Sequence, residues 1–137
     1  MAKNIWVFCE QRDGELQNVA LELLGVAREL AEKTNDKVCA MLLGHNVTDK
    51  AKDLIAHGAD EVHVVDDKNL AQYVTEPYAQ AVTYLSKKNE PSVILFGATS
   101  IGRDLAPRLS ARLKTGLTAD CTKLEVNEEG QLFMTRP

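Results

Sequence analysis

Six consecutive apolar residues, Val38–Leu43, constrain this chain more than any other feature. A strand with one wet face alternates apolar and polar side chains. An unbroken run reads instead as a strand covered on both faces, which is the habit of parallel sheets. Ile5–Cys9 and Val93–Phe96 are further apolar runs of strand length. A chain built on such strands has to supply helices above and below them.

The segments between the runs supply those helices. From Leu16 the apolar residues fall at Leu16, Val19, Ala20, Leu23, Leu24, Ala27, Leu30 and Ala31. These three- and four-residue steps describe one helix face, and Asn35-Asp36 ends it. Gly14 and its polar neighbours form a loop before this helix. After the turn Gly44-His45-Asn46, a short helix carries Ala51, Leu54 and Ile55, with Asn46 and Thr48 competing as its N-cap. Gly58 sits where a helix places its terminating glycine. Glu61–Val65 alternates and reads as a third strand. A helix over Glu76–Lys88 follows, with Pro77 in its first turn. Pro91 separates it from the fourth strand.

A further helix lies within Gly102–Lys114, on Leu105, Ala106, Leu109 and Leu113. Pro107 is awkward there, so the regular helix is expected to start near Ala106 or to kink. Gly116 ends it. Thr118–Val126 reads as a strand, Asn127–Gly130 as a turn and Leu132–Thr135 as a return strand. The predicted fold is α/β in three layers, a mostly parallel sheet with helices on both faces and a C-terminal β-hairpin. Right-handed crossovers and a reversal of winding place a crevice at the carboxyl ends of the first and fourth strands.

With 137 residues, the chain is one domain's worth, able to bury roughly two thirds of its unfolded surface without disulfide or metal. Its net charge of −4 argues against nucleic-acid binding, which wants a basic face. Cys9, Cys39 and Cys121 are odd in number and widely spaced, and read as free thiols, mostly buried, in a reducing compartment. The start, Met1–Glu10, enters a strand directly and lacks a secretory pattern. No run nears the ~18 apolar residues of a membrane span. A cytoplasmic location is therefore expected.

The turn Gly97-Ala98-Thr99-Ser100-Ile101-Gly102 is the leading candidate site. A helix start offers unpaired N–H groups and partial positive charge to an anion. Thr99 and Ser100 add hydroxyls, Gly102 permits close backbone approach, and Arg103 can grip an anion with two bonds. The plainer reading gives the glycines to packing and the hydroxyls to capping. The spacing matches neither a P-loop nor a dinucleotide fingerprint. Asp104, Arg108 and Arg112 step by four, so the first two can pair along the helix. His45, His57 and His63 fit no common zinc spacing, and no metal site is expected from them. No nucleophile elbow occurs.

Five strings carry a resemblance: Ile5–Glu10, Leu43–Val47, His57–Val62, Gly97–Thr99 with Gly102–Leu109, and Gly116–Thr122. Together they resemble the alpha subunit of electron transfer flavoproteins, over essentially the whole chain. The resemblance implies a Rossmann-like domain of the adenine-nucleotide-hydrolase or universal-stress type over residues 1–137. It implies a piece truncated before a C-terminal domain that holds most of the FAD contacts, so that this piece binds no cofactor and is redox-inactive. The family passes electrons from dehydrogenases, acyl-CoA dehydrogenases of fatty acid β-oxidation among them, to an acceptor. It is a carrier rather than an enzyme, paired with a beta subunit. This domain would be scaffold and subunit interface, with Arg103 and Arg108 facing partners. The alternative is a standalone nucleotide-binding domain of the universal-stress type.

Overall fold

The computed structural model describes residues 4–89, 91 and 93–112, and the backbone of strands 123–126 and 132–135. In chain order the elements are β1 (Asn4–Cys9), β2 (Gln11–Arg12), β3 (Glu15–Leu16), α1 (Asn18–Thr34) and β4 (Lys37–Gly44). Then come α2 (Ala51–Ala56), β5 (Glu61–Asp66), α3 (Thr75–Asn89), β6 (Val93–Leu95), α4 (Ser100–Arg112), β7 (Lys123–Val126) and β8 (Leu132–Thr135).

The main sheet runs β5-β4-β1-β6-β7-β8. The first four strands are parallel, with Trp6 opposite Cys39 and Ile94, and Cys39 opposite Glu61. The expected C-terminal hairpin is present as β7 and β8, which pair antiparallel and extend the β6 edge. Gly116, Cys121, the rest of the predicted strand before Lys123 and the turn Asn127–Gly130 lie outside the described residues.

Alternate strand residues point to opposite faces of a sheet, and both faces are covered. Trp6, Phe8, Met41 and Leu43 pack with Tyr78 and Val82 of α3 and Leu105 and Leu109 of α4. Ile5, Val7, Ala40 and Leu42 pack with Leu24 and Ala27 of α1 and Leu54 of α2. The continuous apolar run of β4 thus serves two cores at once. The chain moves outward from β1 to β4 and β5, then crosses back to β6 on the other side of β1. That is the expected reversal of winding.

Three local details differ from expectation. Leu16 does not begin the helix. It pairs with Gln11 in a small hairpin, turned by Asp13 and Gly14 at φ 53° and 83°. Positive φ at both central residues is what a two-residue Asp-Gly turn requires. Neither Asn46 nor Thr48 caps the next helix by its side chain. Instead, Asp66 at the end of β5 accepts the N–H groups of Asn46 (2.8 Å), Val47 (2.9 Å) and Thr48 (3.3 Å), and the Thr48 hydroxyl (2.9 Å). Asn46 itself adopts φ 57°.

Pro107 neither starts nor ends regular helix, since α4 begins at Ser100 and continues to Arg112. Arg103 and Pro107 are both exposed. The carbonyl that loses its donor to Pro107 therefore belongs to an exposed residue, where water can take the place of the bond.

Three carboxylates tie segments distant in the chain together, and all three lie below the usual range. The Val38 N–H and the Arg28 guanidinium hold Asp60 down. The Asn46 N–H leads the bonds that lower Asp66, and the Thr75 and Tyr73 hydroxyls lower Asp104. A carboxyl depressed by folding contributes stability that is complete above its unfolded pKa and lost as pH falls through the folded one. Urea midpoints should therefore hold steady above about pH 5 and drop below about pH 4. Asp60→Asn should flatten that acid limb; an unchanged limb in the variant would count against this origin.

Candidate functional site

β1 and β6 are neighbours, so their carboxyl ends bring Glu10 beside the turn that follows Phe96. Thr99 starts α4. Its Oγ1 accepts the Gly102 N–H at 3.1 Å, and its carbonyl accepts the Arg103 N–H at 2.8 Å. This is the N-cap geometry for which Thr is suited. The same hydroxyl donates to Glu10 Oε2 at 2.6 Å. Glu10 is buried, with 6% of its surface exposed.

Both glycines of the turn are there for close approach. A Cβ on Gly102 would lie 1.9 Å from the Gly97 carbonyl oxygen. A Cβ on Gly97 would lie 2.6 Å from Val19 Cγ2 and 2.9 Å from Glu10 Oε2. The turn is folded onto itself and onto α1, with the chain's own carboxylate at the positive end of α4. Negative charge at a helix N-terminus is favourable, and here Glu10 supplies it. An incoming phosphate would meet that carboxylate and a Thr99 hydroxyl already engaged.

The four candidate residues accordingly separate. Thr99 and Gly102 are structural parts of the closed turn. Ser100 and Arg103 stand exposed at the start of α4. Farther along, Arg108 Nε lies 3.6 Å from Asp104 Oδ1, the expected pair along the helix. Asp104 Oδ2 also accepts the Tyr73 hydroxyl at 2.7 Å and that of Thr75 at 2.6 Å. Burial and the Asp104 carboxylate push the Tyr73 phenol up. Arg112 reaches across to Glu76 of α3. Of the three arginines on α4, Arg108 and Arg112 are engaged within the domain and Arg103 projects outward.

A cleft of about 500 Å³ opens on the other side of the β1 terminus. Asp13, Glu15, His45, Asp49, Lys50 and Gln72 are among its lining residues. Gln72 Nε2 donates to Asp13 Oδ1 at 3.0 Å, and Lys50 pairs with Glu15 at 3.8 Å. Three carboxylates against one lysine leave the lining of this cleft acidic. Only the Asp13-Gly14 turn marks it in the sequence, as a hairpin signal; its walls come from three separate loops.

Cys9 and Cys39 are buried free thiols, as expected. Burial, with Glu61 and Asp60 nearby, pushes the Cys39 thiol up to about 12. Neither has the depressed pKa of a reactive cysteine. His57 Nδ1 lies 2.7 Å from the Asp53 carbonyl at the end of α2. His63 stacks on Trp6 with ring centres 4.5 Å apart. No helix among the described residues is long and apolar enough to cross a membrane.

Residues 5–137 match the family profile described as Electron transfer flavoprotein domain. The chain is 58% identical over 135 residues to the electron transfer flavoprotein subunit alpha of Thermoanaerobacterium thermosaccharolyticum, covering 98% of this chain and 41% of that protein. It is 50% identical over 125 residues to the acryloyl-CoA reductase electron transfer subunit beta of Anaerotignum propionicum, covering 91% and 34%. Identity is 46% over 135 residues to the lactate dehydrogenase (NAD(+),ferredoxin) subunit LctC of Acetobacterium woodii, covering 98% and 32%. The chain spans about two-fifths or less of the length of these relatives.

Proposed function

The chain belongs to the electron transfer flavoprotein domain family, and on that footing we propose that it serves an electron-carrying alpha-type subunit. Residues 1–137 act as its N-terminal scaffold and subunit contact. The electrons travel through FAD held by other parts of the protein. The carrier pairs with a beta subunit and receives electrons from a dehydrogenase; it is not itself an enzyme. The names of the relatives, one a reductase's electron transfer subunit and one a lactate dehydrogenase subunit, support a partner of that redox class. The two buried free thiols support a reducing compartment, and we place the protein in the cytoplasm.

The observation that carries the scaffold role is the closed turn at Gly97–Gly102. A flavin pyrophosphate fits it no better than a phosphate does, because the Glu10 carboxylate stands at the helix start and Thr99 is engaged. Exposed Ser100 and Arg103 are the candidate residues of this motif left to face another protein surface.

Two measurements test the reading. These 137 residues alone should show no flavin absorbance after incubation with FAD. Calorimetry with AMP should give no affinity tighter than about 1 mM. The full-length protein mixed with its beta subunit should take up FAD and turn yellow. Micromolar AMP affinity in these residues would favour a standalone nucleotide-binding domain. A colourless full-length pair would sink the electron-transfer reading.

A further inference from the structure

We propose that Cys39, Glu61 and His63 form a binding site for a thiophilic divalent cation of the zinc class. This stands apart from the electron-transfer reading and rests on the sheet. Register places Trp6, Cys39 and Glu61 in one row across β1, β4 and β5. The two-residue period of β5 puts His63 on the same face as Glu61, one step along and opposite Met41. The result is a thiol, a carboxylate and an imidazole whose ligand atoms all lie within 4.8 Å of one another.

That donor set is chemically selective. Zinc takes sulfur at about 2.3 Å and nitrogen or oxygen at about 2.0–2.2 Å in tetrahedral array. Those bond lengths separate ligand atoms by roughly 3.5 Å, so small side-chain rotations bring this trio to distance. Calcium and magnesium want oxygen ligands throughout and are not matched by it. β5 is the edge of the sheet, and the His63 side chain is 29% exposed. An ion has an approach there, and its fourth position is open to water.

Two further contacts fit. Glu61 Oε2 faces Lys37 at 3.8 Å while Oε1 faces His63 at 3.7 Å. One carboxylate oxygen is thus already turned into the site. Trp6, stacked on His63, is 1% exposed, and its Nε1 has no hydrogen-bond partner among the described residues. A buried donor left unpaired is costly.

Cobalt(II) titration of the purified chain tests this. A near-ultraviolet thiolate-to-cobalt charge-transfer band should appear, with visible bands of tetrahedral strength, and saturate at a single equivalent. Cys39→Ser should abolish the charge-transfer band. His63→Gln should weaken cobalt binding by about tenfold or more and remove the rise in melting temperature that zinc gives the parent. Circular dichroism reports whether each variant folds. If Cys39→Ser does not fold, His63→Gln decides, and an unchanged cobalt affinity there overturns the site. So does the absence of a charge-transfer band in the parent, or a band that survives in folded Cys39→Ser.

Discussion

Gly102→Ala is expected to destabilise this chain by about 3 kcal/mol. In most helices the same change is favourable, because alanine exceeds glycine in helix propensity by up to about 1 kcal/mol. Here the new Cβ would stand 1.9 Å from the Gly97 carbonyl oxygen, and a backbone atom cannot swing aside as a side chain would. α4 would have to move off the turn, breaking the cap from Thr99 and loosening its bond to Glu10. Gly25 provides the control. It is exposed in α1 with nothing within 4 Å of its would-be Cβ, so Gly25→Ala should gain up to about 1 kcal/mol. Urea midpoints of the two variants should therefore move in opposite directions. A Gly102→Ala midpoint that rises, as that of Gly25→Ala should, would mean that Gly97 and Gly102 are not in this close contact.

Phe96→Ala should cost about 3–5 kcal/mol. The residue is 1% exposed and packs on Phe8, with ring centres 5.7 Å apart. It is also the last anchored residue before the turn. Its loss leaves a cavity between the sheet and α3 and α4, in the core that includes Leu105 and Tyr78. A well-packed interior closes such a space only in part. Equilibrium unfolding measures the effect. A loss under about 1 kcal/mol would mean that the site collapses freely, contrary to the usual cost of such a truncation.

Much of the fold was legible in the sequence, for a definite reason. Apolar spacing reports how each segment meets water, and that decides strand or helix locally. Val38–Leu43 could be read as a strand covered on both faces. The stripe from Val19 to Ala31 could be read as a helix, although Leu16 had already left it for a hairpin. Pro107 misled because the rule against proline in a helix assumes that the freed carbonyl is stranded; on the exposed face of α4 it is not. The cap on the loop after β4 was hidden because Asp66 belongs to the next strand.

The turn at Gly97 shows the limit most clearly. Its residues suit an anion site or a close-packed corner equally well. The deciding group, Glu10, is 89 positions away in the chain. Glu61 and His63 share a face through their two-residue spacing, but Cys39 joins them only through strand register.

From the sequence alone follow the α/β architecture, the reversal of winding and a strong likeness to one family. These depend on periodic burial and on local strings of residues. Only the tertiary structure decided that the turn is closed by its own carboxylate, that Arg112 of α4 reaches across to Glu76 of α3, and that Cys39 joins Glu61 and His63 on one patch of sheet. Those are contacts between distant segments. Their partners are chosen by how the strands are ordered and registered, a choice no local pattern contains.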